Sequence, residues 1–382
     1  MNNTKVIIIG VSHHNTYGML KCFGEYGVMP ILILYGCDKS YILHSKYIFE
    51  SFVVKDECAA INLLSDKADK WKGCLIVSCT DAIASAIDMK YDELKDHYYV
   101  FNCGKAGRLT YFMNKLIQTD CAKKIGFDVP ESVEGAIIEV GECNVPYPRI
   151  IKPVESIHGG KKISICHNED DFKQSISLFG HKDKVIVQQF VEKDYEIVIV
   201  GASLHGEICI PGYVHKHRDE KGGTTFSTIK SFDKLPPHLL TTCKKLIEEM
   251  NYQGLFGIEL INKEDKYFFI EINLRSDATT YGVAKAGSNI PLALYECIIN
   301  NGPLICDNIR GEIQSMVEFQ DFIHVLRRTV SLPTWYKQLR NSQCRYFYSK
   351  EDKKPYDIYR KDYMLFLVKR AIRFWCYANK KK

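Results

Sequence analysis

Short apolar runs alternate with mixed, helix-like stretches through the first hundred residues. Val6-Ile7-Ile8-Ile9-Gly10, Ile31-Leu32-Ile33-Leu34-Tyr35, Phe52-Val53-Val54, Cys74-Leu75-Ile76-Val77-Ser78 and Tyr98-Tyr99-Val100-Phe101 read as strands without a polar face, the pattern of parallel strands covered on both sides. A polar loop over 11–16 leads to a helix over 19–26, with Gly27 as its C-cap. This alternation predicts a doubly wound α/β domain. Ligands in such sheets bind beyond the carboxyl ends of the strands. His13, His14, Asn15 and Tyr17 after the first strand, with Thr80 and Asp81 after the fourth, are therefore candidate pocket residues. Capping of the following helix is the competing role for each. Gly10 and Gly18 do not form a G-x-G-x-x-G fingerprint, which weighs against a dinucleotide fold.

From Pro146 the pattern changes to short β-rich runs punctuated by turns. Strands are expected over 149–153, 162–166, 185–190, 196–200, 207–214, 255–261 and 267–272, with a helix over 239–250. Antiparallel hairpins with an added helix indicate α+β architecture. His215-Lys216-His217-Arg218, after the strand ending at Val214, is a candidate carboxylate-binding segment through Lys216 and Arg218, with a solvated basic turn as the alternative. Residues 219–228, with Gly222 and Gly223, read as a flexible loop.

Chemistry concentrates in Phe269-Ile270-Glu271-Ile272-Asn273-Leu274-Arg275. Period-two spacing puts Glu271, Asn273 and Arg275 on one face of a strand. Glu259, twelve residues earlier, reaches Glu271 if the two strands pair. Two carboxylates and an amide oxygen make a hard oxygen shell of the kind Mg²⁺ prefers, and Arg275 would sit where an anion can be neutralised. The competing reading is a hairpin with a solvated acidic face. Ser156-Ile157-His158-Gly159-Gly160-Lys161-Lys162 pairs two glycines with basic residues, which lets backbone N–H groups approach an anion. It lacks the Walker pattern, and a simple hairpin turn is the alternative. Lys152, inside an apolar strand and just before Pro153, is costly unless it meets an anion, and Lys115 is a second candidate.

Composition narrows the class. The chain has 382 residues, 46% apolar and 25% charged, with a formal net charge of +5. These values suit a folded globular protein of two or three lobes and do not indicate nucleic-acid binding. The 15 cysteines contain no Cys-x-x-Cys pair. Without a secretory leader pattern at residues 1–5, they read as reduced thiols in a cytoplasmic setting.

Taken in order, these residues resemble the ATP-grasp superfamily over roughly residues 1–305. The resemblance implies a combined α/β and α+β fold: a pre-ATP-grasp doubly wound α/β domain followed by a two-lobed ATP-grasp fold. Residues 1–105 would be the first domain, 106–191 the small lobe with its glycine-rich lid, and 192–310 the large lobe with the metal site. A C-terminal extension would occupy 311–382. By the same resemblance Lys115 and Lys152 hold nucleotide phosphates, and residues 156–162, with His158, Gly159 and Gly160, form the lid. Gln188, Gln189, Phe190 and Val191 would form the hinge at the adenine, and Glu196 would bind the ribose. Glu259, Glu271 and Asn273 would be the metal ligands and Arg275 the catalytic arginine. The hinge departs from the family pattern, because Gln188 stands where Glu is common. ATP and Mg²⁺ are the implied cofactors, with Mn²⁺ able to replace Mg²⁺. Asn15-Thr16-Tyr17-Gly18-Met19 is similar to D-aspartate ligase-like proteins. That similarity favours a carboxylate–amine ligase, with small-molecule acid and amine substrates.

Beyond the shared motifs, residues 363–375 are aromatic and basic and end near Lys380-Lys381-Lys382. They read as a cationic amphipathic helix, suited to peripheral contact with the inner face of a membrane. Capping of the core or of a homo-oligomer interface is the alternative. Two rival functions stand beside the ligase: a non-catalytic ATP-binding module and a nucleotide-sugar or glycosyltransferase-type enzyme. The latter leaves Glu259, Glu271, Asn273 and Arg275 without a joint purpose.

Overall fold

The computed structural model describes residues 5–153, 163–180, 183–220 and 223–379. Contacts group the chain into two units: Met1–Gln118, Ile197–Ile258 and Ile272–Lys382 in the first, Thr119–Glu196 and Glu259–Glu271 in the second.

In the first unit, β1 (Val6–Gly10), β2 (Ile31–Tyr35), β3 (Glu50–Val54), β4 (Cys74–Ser78) and β5 (Tyr98–Tyr99) form one sheet in the order β3-β2-β1-β4-β5. Every pairing is parallel; Ile8, for example, lies between Leu32 and Val77. The apolar runs bury as expected, with Ile7, Ile9, Ile33 and Ile76 packed beside Trp71 and Ile83. The helix after β1 starts earlier than its pattern suggested, at His14 rather than near Met19, and ends at Gly24. The His13 ring accepts the Asn15 N–H at 3.2 Å, so the polar segment caps the helix instead of looping.

The second unit holds β6 (Ser132–Ala136), β7 (Arg149–Pro153), β8 (Ser164–Cys166) and β9 (Lys184–Gln189) in the order β6-β9-β7-β8, all antiparallel. Val140, Ile151, Phe172, Val185 and Val187 fill its core.

The remaining strands are β10 (Tyr195–Leu204), β11 (Glu207–Glu220), β12 (Gly223–Ser231), β13 (Gly254–Lys263), β14 (Lys266–Asn273), β15 (Ile313–Met316) and β16 (Cys344–Arg345). Within the first unit they run in the order β13-β10-β11-β12-β15-β16. β10 continues through the glycine at 201, past the strand end expected at residue 200, and packs so closely there that a Cβ would meet Cys209 O and the Phe256 ring at 2.5 Å. His205 and Gly206, both with positive φ, make the turn instead.

Three expectations need correction. The basic segment 215–218 and residues 219–220 and 223–228 are not a loop. They belong to the β11–β12 hairpin, with Val214 opposite Ile229 and Lys216 opposite Ser227. Thr224, Thr225, Phe226, Thr228 and Ile229 favour extended backbone, and register shifts around Arg218 absorb the mismatch. The cysteines are not all thiols either, because Cys209 and Cys306 form a disulfide. Finally, the C-terminal helix Lys353–Asn379 shows no single apolar stripe over its described side chains, those up to residue 369. Met364, Leu365, Phe366 and Val368 are all exposed, and three successive helical residues cover about 200° of the circumference. No described helix is long and apolar enough to cross a membrane.

The start of that helix is part of the first unit. Tyr359 stacks on Phe347 at 4.1 Å and meets Tyr41 edge-on at 4.8 Å. Asp352 accepts from Tyr17 Oη at 3.1 Å, Ser45 Oγ at 2.5 Å and Lys46 N at 3.0 Å. Lys21 is fully buried, donates to Tyr346 O at 2.6 Å and lies over the Tyr281 ring at 3.9 Å. Burial lowers its pKa to about 8.

Candidate functional site

The second unit gathers several predicted nucleotide residues. Lys152 and Gln188 face each other because Ile150 pairs with Gln188 and Lys152 with Ile186 on adjacent antiparallel strands. Lys152 Nζ donates to Gln188 Oε1 at 3.0 Å, so an amide oxygen stands where an anion would draw the ammonium. Beyond β9, Phe190 N donates to Pro148 O, while no hydrogen bond among the described residues engages the backbone of Val191. A hinge that reads a base by its backbone needs such unengaged groups. Glu196 is half-buried and accepts Lys193 Nζ at 2.7 Å. Lys115 is exposed at the head of the helix Lys115–Ile125, where the Asn114 side chain accepts from Leu116 N and Ile117 N. His158, Gly159 and Gly160, with the rest of 156–162, lie outside the described residues.

Glu259 and Glu271 lie half-buried on the neighbouring strands β13 and β14. The turn between these strands is Glu264-Asp265, both in the left-handed region with φ of 51° and 62°, as a two-residue hairpin requires. Their donor set is all oxygen and suits a hard cation such as Mg²⁺. Among the described residues no group of three His, Cys, Asp or Glu side chains forms a complete metal shell. A cation here would therefore take its remaining ligands from phosphate and water.

The first unit contributes an arginine held by four hydrogen bonds to three partners. Arg275 Nε donates to Asp81 Oδ1 at 2.7 Å and Nη2 to Asp81 Oδ2 at 3.3 Å. Nη2 also donates to Asn273 Oδ1 at 3.1 Å, and Nη1 to Ser276 O at 2.9 Å. Asp81 opens the helix Asp81–Met89, capped by Thr80. It thus acts as the counter-ion of Arg275 rather than standing alone in a pocket. Asn273 is oriented in turn by the buried Asp277, whose Oδ2 accepts its Nδ2 at 3.2 Å. The same carboxyl accepts from Thr279 N at 2.8 Å. Sequence reasoning missed Asp277, although an acid two residues past Arg275 was the available signal.

His13 borders this arginine: burial and the Arg275 charge lower its pKa to about 4, so it is neutral at physiological pH. His14 is fully buried and its pKa is also held well below the usual histidine value, first by burial and then by the His13 and Lys21 charges. The structure reassigns two other candidates. Asn15 donates to Cys79 O and Ser276 O and accepts from Ser276 Oγ, which uses the amide for packing. Tyr17 is completely buried with its hydroxyl on Asp352. On β11, Lys216 is half-buried, whereas the Arg218 guanidinium holds Asp321 through Nε at 3.0 Å and Nη2 at 2.7 Å. Its Nη1 donates to Gln338, so Arg218 ties down the C-terminal segment.

Residues 123–283 match the sequence pattern of the ATP-grasp domain. The chain carries an ATP-grasp domain. Asn273 and Arg275 fall inside the matched range, as do Lys152, Gln188, Glu259 and Glu271, while Lys115 precedes it. The ATP-grasp fold recurs in solved structures. An N5-carboxyaminoimidazole ribonucleotide synthetase from Thermus thermophilus aligns with TM-score 0.64 and 15% identity, covering 81% of this chain and 82% of that one. An L-amino acid ligase from Bacillus licheniformis aligns with TM-score 0.60 and 12% identity, covering 81% and 79%. In sequence, the chain is similar to a formate-dependent phosphoribosylglycinamide formyltransferase from Methanocaldococcus jannaschii. That match has 26% identity over 254 residues, 62% of this chain and 61% of the relative. The chain spans from 35% to 61% of the length of the curated relatives it matches first.

Proposed function

We propose that this chain is an ATP-dependent, ADP-forming ligase that joins a carboxylate to an amine through an acyl phosphate. The observation that carries the reading is Glu259 and Glu271 on neighbouring strands, followed directly by the oriented Asn273 and the clamped Arg275. The fold it shares with an L-amino acid ligase supports the same class.

A carboxylate oxygen that attacks the γ-phosphorus of ATP forms the acyl phosphate and releases ADP. Both reactants are anionic, so approach needs compensating positive charge. Lys115 and Lys152 would supply it at the phosphates, with Lys152 exchanging Gln188 for an anion. Glu259, Glu271 and Asn273 would hold Mg²⁺, or Mn²⁺ in its place, which neutralises phosphate charge when bound. Gln188, Gln189, Phe190 and Val191 would seat the adenine, Glu196 the ribose, and residues 156–162 would close over the phosphates. An amine nitrogen then attacks the acyl carbon, phosphate departs with the C–O bonding pair, and the amine proton goes to solvent. Arg275 stabilises the tetrahedral oxyanion, and Asp81 and Asn273 keep its fork from reorienting. Residues 1–105 would shape one side of the substrate site, with 106–191 and 192–310 as the nucleotide lobes. The enzyme would work in the cytoplasm, where ATP is supplied.

Phosphorus NMR of the protein with Mg-ATP and pooled acids and amines tests the proposal. ADP and phosphate that form only with a matching acid–amine pool are expected. AMP and pyrophosphate would overturn it, and ATP binding without turnover in any pool would indicate a binding module instead.

A further inference from the structure

A cleft of about 810 Å³ opens within the first unit between the end of the β11–β12 hairpin, residues 319–327 and the C-terminal helix. Phe319, Tyr363 and Phe366 give it an aromatic wall, their successive ring centroids 5.2 Å and 6.2 Å apart. Ile323 and Tyr359 extend that apolar surface.

The charges in the lining do not cancel. Arg327 is already engaged by Glu220, Nη2 to Oε1 at 3.0 Å. Asp362 lines the same cleft and is exposed, with no hydrogen bond or ion pair among the described residues. His13 completes the lining and adds no positive charge, because burial and Arg275 keep it neutral at physiological pH. The His13 ring accepts from Asn15 N through Nδ1, which leaves Nε2 as the protonated nitrogen. Among the described lining residues, a carboxylate in this cleft would face Asp362 without a free cation to offset it. An organic ammonium would gain both the carboxylate and the ring faces. His13 also ties one end of the cleft to the arginine that the ligase reading makes catalytic: its ring accepts from Asn15 N, and the Asn15 side chain donates to Ser276 O, the carbonyl that also accepts from Arg275 Nη1.

We infer that this cleft receives the amine substrate, and that the amine is a primary one with an apolar or aromatic body. Asp362 attracts its ammonium form, and Phe319, Tyr363 and Phe366 hold its body. The inference rests on the ligase reading for the word substrate, but the binding itself does not need ATP.

The test uses three probes of one size: tyramine, neutral para-ethylphenol and anionic para-hydroxyphenylpropionate, titrated into the full chain by calorimetry without nucleotide. Tyramine should bind about tenfold tighter than the anion, consistent with one ion pair and a cation–ring contact. Asp362→Asn should weaken tyramine about fivefold and leave para-ethylphenol unchanged, whereas Phe366→Ala should weaken both. Asp362 and Phe366 are exposed, so both variants should fold. Equal or tighter binding of the anion, an unchanged tyramine affinity in Asp362→Asn, or no binding of tyramine would each overturn the inference. ATP titrated into the same samples separates the two claims: amine binding without ATP binding sinks the ligase reading and leaves the cleft standing.

Discussion

The two units hold their candidate residues in different ways. In the second, Lys152 rests on a neutral amide, and the Val191 backbone is not engaged among the described residues. In the first, Arg275 is fixed by Asp81, Asn273 and Ser276 O, and Asn273 is itself oriented by Asp277. Groups that must release one partner and accept a substrate gain from weak, replaceable contacts. A group that must meet a developing oxyanion gains from being rigid beforehand. The contrast suggests an exchangeable nucleotide side and a preset chemical side.

The sharpest way to break this contrast is Glu271→Gln, expected to lower ADP formation about 100- to 1000-fold, the scale of losing a charge-stabilising group. Thermal unfolding should stay near wild type, because Glu271 is only half-buried. A loss of stability equal to the loss of activity would make Glu271 structural. Asp352→Ala should do the reverse. It strips an acceptor from Tyr17, Ser45 and Lys46 N, for a cost of about 2–3 kcal/mol in denaturant unfolding, while the activity per folded molecule persists.

Acid should act mainly on the first unit. The folded pKa of His13 is lowered to about 4 and that of His215 likewise, first by burial in both cases. Between pH 6.5 and about 4 the unfolded chain binds protons that the folded chain refuses, so stability falls as pH drops through this window. The loss at His13 is on the order of 1–2 kcal/mol after allowance for solvent. His13→Asn keeps a capping acceptor and should flatten the slope; a slope identical to wild type would exclude His13 as its source. Asp81→Asn, which leaves Arg275 without its counter-ion, should lower kcat about tenfold with KM for ATP unchanged. A KM effect alone would move Asp81 to the nucleotide side. Smallest of all, Gln188→Ala should shift KM for ATP about two- to threefold, as expected for a contact that ATP replaces.

Much of this was legible in the residue pattern, for reasons that differ by region. The apolar runs that became β1, β2 and β4 could be read because strands buried on both faces leave no polar positions to confuse the period. Glu-x-Asn-x-Arg stood out because its spacing is local. Other features were hidden because their causes are distant in the chain. Asp81 meets Arg275 across 194 residues, and Asn15 meets Ser276 across 261. No local signal distinguishes such a tie from an open pocket residue. Residues 215–220 and 223–228 misled for another reason: a polar strand with Thr and His on its face resembles a loop until its partner strand is known.

The buried ammonium of Lys21 has a consequence for how the protein is made. Its acceptor, Tyr346 O, is encoded 325 positions later. Tyr281, whose ring lies against the ammonium, is also distal. The segment that covers Lys21 must therefore take a charge out of water as it docks, and it carries the carbonyl that offsets the cost. A fragment cut near residue 105 would hold every strand of the parallel sheet and lack both of these groups.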